Sequence, residues 1–294
     1  MLNGNYEELE TFTSPKLEDD HYPDSISPGW IDIQEMKKLY PFNSNFVKNI
    51  DNLWLDHNVV GWKKSRGDGN CYYRAVISYF FLNICKPYES ADKLMNFFMR
   101  LQQLNYTSLD PFYYQATDFM LKLIKYFIDE KVLGKDLQVF KYALDYCQQK
   151  EFDIYLVAIA RLITYNRILK ACNQDEYSFI GAQEWNVISR SVLKMGEEAE
   201  EVILVLLPQG LEVQVVQFMF LDQDRYSVQK FCEDGHGLDK IYIVRRHGHY
   251  DLLIKVDEME MDQINLKDGS CMMFKDSMVY QDIIEDRKKL MAVI

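Results

Sequence analysis

Apolar residues recur at helical spacing through the middle of the chain and at alternate positions in its last third. Ala116, Phe119, Met120, Leu123, Ile124, Phe127 and Ile128 keep an i, i+3, i+4, i+7 rhythm, which predicts an amphipathic helix. Phe152 to Ala171 is apolar on most faces and reads as a central, buried helix. Leu94 to Leu104 predicts another, and the polar, aromatic stretch Asn105 to Tyr114 a loop. Near the start, Ile31 to Leu39 reads as a short helix and Phe46 to Val59 as a second. Glu212 to Phe220, Lys240 to Arg246 and His249 to Lys255 read as strands, with a break at Gly248. Val202 to Leu207 is a run of branched apolar residues with the composition of a buried strand. At the end, Asp276 or Ser277 caps a predicted helix whose apolar side is Tyr280, Ile283, Ile284, Leu290, Met291 and Ile294. That helix is expected to pack on the domain. Strands among many helices predict an α+β protein with a mainly antiparallel sheet.

One interruption in this pattern carries chemistry. Residues 67–75 read Gly-Asp-Gly-Asn-Cys-Tyr-Tyr-Arg-Ala and lead into the apolar run Ala75 to Cys85. Cys71 therefore sits where a tight loop becomes a helix. Glycines allow such a loop to turn its N–H groups inward, and the helix dipole favours a thiolate. A nucleophilic cysteine needs a base. Of the five histidines, His21, His57 and His236 lie in settings with no orienting partner, whereas His249 is followed at i+2 by Asp251. Residues two apart on a strand share a face, so the carboxylate can orient the ring. Cys71, His249 and Asp251 are candidates for nucleophile, base and orienter. A metal reading uses His247, His249 and Asp251 instead. It is weaker, because three ligands give an open site at most and no paired cysteines or second histidine pair support it. The expectation is no metal and no cofactor.

These two segments resemble the OTU family of cysteine deubiquitinases, and most closely its otubain branch. The resemblance rests on Gly67–Ala75 and Gly248–Leu253 and runs from about Ser44 to Lys255, with Glu184-Trp185 and Glu198–Leu211 as weaker middle features. It implies a papain-like OTU fold whose small sheet is flanked by a large helical arm. It also implies hydrolysis of the isopeptide bond after the C-terminal glycine of ubiquitin. Cys71 becomes the nucleophile, His249 the base and Asp251 its orienter. Asp68, Gly69 and Asn70 fall in the oxyanion loop, and Tyr73, His247 and Tyr250 become substrate contacts. Implied partners are ubiquitin, polyubiquitin chains and a ubiquitin-conjugating enzyme. Tyr113 and Tyr114 on the helical arm are further contact candidates. The resemblance also makes Val202–Leu207 a helix, stopped near Pro208 and Gly210. Tyr72 departs from the phenylalanine usual after the cysteine, and His247 replaces the usual arginine or proline. The alternative function is a non-catalytic module that binds ubiquitin and restrains its conjugation.

Charge and composition narrow the setting. The chain has 294 residues and a net charge of −12, which disfavours nucleic acid and anionic membranes as partners. The run Ala75 to Cys85 is too short for a membrane span, which needs ~20 apolar residues. No signal-like leader opens the sequence, and the six cysteines have no paired spacing. A cytoplasmic or nuclear protein with reduced thiols is expected. Residues 1–29 are acidic and hold three prolines, Pro15, Pro23 and Pro28. They predict a mobile segment within an N-terminal extension of residues 1–43. Residues 44–256 form the expected catalytic domain and 257–294 a C-terminal extension.

Overall fold

Strands β1 (Ile31–Asp32), β2 (Val59–Lys63), β3 (Gln214–Phe220), β4 (Ser227–Phe231), β5 (Lys240–Arg246) and β6 (His249–Lys255) form one sheet in the order β1-β2-β6-β5-β3-β4. In this computed structural model residues 25–27, 29–106, 109–220, 225–232 and 237–258 are described. All neighbouring strands run antiparallel except β3 and β5, which are parallel. The expected α+β class and mainly antiparallel sheet are present.

Both faces of the sheet are covered. On one side Val215, Ile241, Ile243, Tyr250 and Leu252 join a large core built on α2 (Cys71–Cys85) and α6 (Lys150–Ala171). On the other, Val216, Phe218, Tyr242, Val244 and Leu253 pack against α1 (Ser44–His57) and the 3-10 turns of Ile33–Leu39. Burial on two faces is why the middle of β5 reads as an unbroken apolar run. Helices α3 (Ala91–Gln102), α4 (Pro111–Val132), α5 (Asp136–Cys147), α7 (Ala182–Val192) and α8 (Glu201–Leu211) complete the helical body.

Several expected boundaries move, each for a local reason. The first long helix stops at His57 because Asn58 takes the left-handed conformation, φ 59°, and Val59 then enters β2. The expected Phe46–Val59 helix thus hides a strand start. The loop expected over Asn105 to Tyr114 is shorter, because Asp110 caps Pro111–Val132 by accepting the N–H of Phe112 at 2.8 Å. The segment expected to be a helix at Ile31–Leu39 begins as β1 and continues as 3-10 turns. Ile33 and Met36 are fully buried, and Ile26 bridges to Ser65. The boundary expected at residue 44 therefore falls inside a packed unit. The acidic segment before Ser25, His21 and His236, and the helix expected near the C-terminus lie outside the described residues.

Val202–Leu207 is helical, as the resemblance implied and the composition did not. Ile203, Leu204, Leu206 and Leu207 are buried in the main core, and Gly210 lets α8 approach α6: a Cβ there would lie 2.5 Å from Ile163. The helix does not stop at Pro208. It continues to Leu211 and ends at Glu212, which is left-handed with φ 55°. A proline inside a helix deprives the carbonyl four residues back of its donor. That carbonyl belongs to Leu204, and it accepts the hydroxyl of buried Tyr72 at 3.0 Å. The side chain after Cys71 thus repairs a backbone gap in another helix.

This pairing predicts a coupled stability effect. Tyr72→Phe strands the Leu204 carbonyl and destabilises the protein by about 1–3 kcal/mol in urea unfolding. In a Pro208→Ala background, where a backbone N–H returns, the same change costs about 1 kcal/mol less or better. Additive costs in the double-mutant cycle would refute the repair.

Candidate active site

Cys71 is the first residue of α2, so its backbone N–H has no acceptor within the helix. The loop before it is held by charge. Asp68 Oδ1 accepts from Arg74 Nη1 at 2.8 Å and from the Asn70 N–H at 3.0 Å. Its Oδ2 accepts from Arg74 Nη2 at 2.8 Å and Arg66 Nε at 2.9 Å. Burial opposes ionisation of Asp68, but these donors outweigh it and hold the carboxyl well below the usual range. Arg74 is 1% exposed and reaches on to Asp153 of α6, with Nε to Oδ1 at 2.8 Å. Asp68 is a brace inside the loop, its oxygens saturated by its neighbours.

Asn70 and Gly69 depart from their expected part in one respect. The Asn70 N–H is committed to Asp68 and is not free to meet an oxyanion. Its side-chain oxygen instead accepts from Arg161 Nη2 at 2.7 Å and the Gly196 N–H at 3.0 Å. Gly69 has φ +75°, and a Cβ there would stand 1.8 Å from the Gly196 carbonyl oxygen. Only glycine fits that crossing of two backbones.

The histidine comes from the other end of the chain. A turn at His247 (φ 43°) and Gly248 (φ 75°) joins β5 to β6 and sets Arg246 opposite His249. His249 Nε2 lies 3.0 Å from Asp251 Oδ1. Asp251 is fully buried; Oδ1 also accepts the Ser65 N–H at 2.9 Å, and Oδ2 accepts Arg246 Nε at 2.8 Å. Gly67 flanks the other ring nitrogen, since a Cβ there would lie 3.5 Å from Nδ1. The Cys71 side chain is close enough to the ring to raise its affinity for a proton. Burial lowers the affinity of His249 for a proton, but the bonds to Asp251 and Cys71 outweigh it and raise its pKa to about 9. With Nε2 on the carboxylate, Nδ1 is the nitrogen left for sulfur. His249 and Asp251 meet directly, and Cys71, distant in sequence, lies near enough to act on the ring.

Two of the three expected substrate contacts sit inside the packing. Tyr73 is fully buried beneath the Arg161 guanidinium, 4.1 Å from its ring centroid. Tyr250 is 4% exposed and packs edge-on against Tyr72 at 5.2 Å. Neither offers a surface to a macromolecule; both support the loop and strand from behind. His247 is exposed in the turn, its ring 5.2 Å from that of Tyr40. On the helical arm Tyr113 is buried and Tyr114 exposed. Among the described residues no group of three His, Cys, Asp or Glu side chains is placed to hold a metal ion, and Cys71, Cys85, Cys147 and Cys172 are free thiols. Residues missed at the sequence level are Arg161, Arg246, Asp153, Ser65 and Gly196. Arg74 stood within the motif, but nothing in its spacing pointed to Asp153.

Residues 21–255 match the model of the family described as Peptidase C65 Otubain. The chain belongs to the otubain family. Otubain membership makes it a cysteine-type peptidase. Human ubiquitin thioesterase OTUB1 is 24% identical over 232 residues, covering 76% of this chain and 81% of the human protein. An Arabidopsis thaliana OVARIAN TUMOR DOMAIN-containing deubiquitinating enzyme 1 is 21% identical over 224 residues, 68% of this chain and 71% of its own. The fold is shared with OTUB1 chains in solved complexes. One, from h/ceOTUB1 with ubiquitin aldehyde and UBC13~Ub, superposes with a TM-score of 0.61 at 18% identity, covering 79% of this chain and 91% of that one. Another, from a ceOTUB1 complex with ubiquitin aldehyde and UBC13~Ub, gives 0.58 at 17% identity over 79% and 94%.

Two outcomes follow from this geometry. The folded pKa of His249 exceeds its ordinary value of 6.5, so the folded state binds this proton more tightly than the unfolded chain. Its contribution to stability is complete below about 6.5 and is lost as pH rises through about 9. An NMR titration of the His249 ring should find its midpoint near 9, falling when Asp251 is changed to Asn; a midpoint near 6.5 contradicts the pairing. Separately, Gly69→Ala must displace either backbone and strain φ, at about 1–3 kcal/mol. It should cut turnover at least tenfold while thermal unfolding remains a single transition; wild-type turnover would show that the crossing tolerates a Cβ.

Proposed function

We propose that the chain is a thiol-dependent ubiquitinyl hydrolase acting through Cys71, His249 and Asp251. The observation that carries the reading is their juxtaposition at the start of α2 and of β6 in an otubain. The names of its relatives support the substrate: one is a ubiquitin thioesterase, another a deubiquitinating enzyme. The Cys71 thiolate attacks the carbonyl carbon of the isopeptide bond after ubiquitin's C-terminal glycine. The oxyanion that forms is met by backbone N–H groups of the 68–71 loop, with the Cys71 N–H available for it. His249, protonated, gives its proton to the departing lysine nitrogen as the C–N bond breaks. A thioester remains on Cys71. Water, deprotonated by the same imidazole, attacks the thioester and releases the ubiquitin carboxylate and the thiolate. Asp251 keeps the ring oriented and steadies its charged form. No cofactor takes part in these steps.

A second reading has one observation in its favour. The structural neighbours are solved with ubiquitin aldehyde together with UBC13~Ub or UBCH5B~Ub, so otubain folds engage loaded conjugating enzymes. In that reading this chain restrains ubiquitin transfer without cleaving anything. One variant separates the two. Cys71→Ala should lower release of coumarin from a ubiquitin C-terminal coumarin amide by about 10³-fold or more and abolish the adduct with a thiol-reactive ubiquitin. A wild-type protein that forms no adduct and releases no coumarin, yet slows ubiquitin discharge as well as Cys71→Ala does, supports restraint alone.

A further inference from the structure

We propose that Arg161 is the positioning residue of the oxyanion loop, fixing residues 69–70 and the facing 192–197 segment as one wall of the active site. The proposal rests on the thiol-hydrolase reading above and assigns a role within that site. Arg161 comes from the middle of α6, far in sequence from either motif, and is 0% exposed. Its Nε and Nη2 donate to Asn70 Oδ1 at 3.2 and 2.7 Å, and Nη2 also approaches the Gly69 carbonyl at 3.4 Å. On the other side Nη1 donates to the Val192 carbonyl at 3.0 Å and Nη2 to the Glu197 carbonyl at 2.6 Å. The Tyr73 ring closes one face of the guanidinium.

The chemistry of these partners sets Arg161 apart. Every acceptor is neutral, and among the described residues no carboxylate touches it. A buried guanidinium is costly unless its geometry is good and its N–H groups are filled. Arg74, which serves the same loop, has two carboxylates. Arg161 instead spends its fork on two irregular backbone segments, and it meets the last carbonyl of α7 at Val192. Residues 69–70 and 193–197 have no regular structure to hold them. The two segments also meet through the Gly196 N–H to Asn70 and the close passage of Gly69 beneath Gly196, and Tyr113 donates its hydroxyl to the Leu193 carbonyl from α4. Oxyanion donors work only when fixed in advance, to within about 0.5 Å. A planar fork with five donors can bridge four acceptors on two loops, whereas an ammonium presents its three from one point.

The test uses the whole chain with Arg161→Gln, Arg161→Lys and Asn70→Ala. Turnover of the ubiquitin coumarin amide is measured alongside alkylation of Cys71 by iodoacetamide across pH. Alkylation forms no oxyanion, so it reports the thiolate and its histidine alone. Both Arg161 variants should lose about 10²–10³-fold in kcat, with KM held within about threefold and the alkylation profile unmoved. Asn70→Ala cuts the same link from the loop side and should lose kcat to a similar order. It carries the test if the Arg161 variants do not fold. Wild-type kcat in Arg161→Lys, Arg161→Gln or Asn70→Ala overturns the proposal, as does an alkylation profile that shifts in step with kcat. No Cys71-dependent release by the wild-type protein removes the hydrolase reading and this role with it, whereas normal release with indifferent variants removes this role alone.

Discussion

The buried guanidinium of Arg74, between Asp68 and Asp153, is the contact on which the site depends. It lies one turn into α2, directly below Cys71, and ties the preceding loop to α6 through two carboxylates. Removing one partner of such a buried group leaves an uncompensated charge and costs about 3–5 kcal/mol. No other described cation reaches both carboxylates except Arg66, and its distance to Asp153 is 3.9 Å. The loop therefore has one low-energy arrangement, and in it the start of α2 faces β6. Placement of the sulfur is a consequence of ion pairing beneath it.

A parallel constraint governs the histidine. Asp251 has both oxygens occupied before the ring is considered, Oδ1 by the Ser65 N–H and Oδ2 by Arg246. It cannot rotate without leaving a buried donor unsatisfied. Ser65 follows β2, so the strand that carries Trp62 against Leu253 also delivers the N–H that orients the carboxylate. The sheet register thus reaches the imidazole in two steps. Arg246 and the Ser65 N–H hold the carboxylate in the orientation from which it stabilises a charged ring.

What could be read from the chain divides along physical lines. The ends of β5 and β6 and the start of α2 were legible because turn residues and a two-residue period mark them locally: Gly248 between two strands, Gly69 before Cys71. β2 was hidden because Val59, Val60 and Trp62 continue the apolar spacing of α1, and the stop is a single left-handed Asn58. β4 was missed because Ser227–Phe231 is a mostly exposed edge strand with little apolar pattern. Leu204 and its neighbours form a helix against their composition because α6 offers a close groove at Gly210. Propensity yields to packing there. Of the candidate site, the three reacting side chains were visible because their chemistry requires particular types at particular offsets. Their supports were not. Arg161, Asp153 and Arg246 are ordinary charged residues until folding removes their solvent, and no local spacing encodes that. For the same reason Tyr73 and Tyr250, beside the motif residues, were misread as surface contacts.

The two arginines behind the loop then differ in what they add. Arg74 is matched by carboxylates of equal number or more, so beyond short range its field is largely cancelled. It supplies rigidity. Arg161 hydrogen-bonds only to neutral oxygens, with Asp68 and Glu197 acting on it through space, so no contacting carboxylate cancels its charge in the loop that must receive a thiolate and then an oxyanion. In a chain with a net charge of −12, a positive centre sealed from solvent is set against the overall field. A lysine at this place would lose the fork, and a glutamine would lose the charge. Only an arginine with its carboxylate partners withheld provides both alignment and sign at the 69–70 backbone.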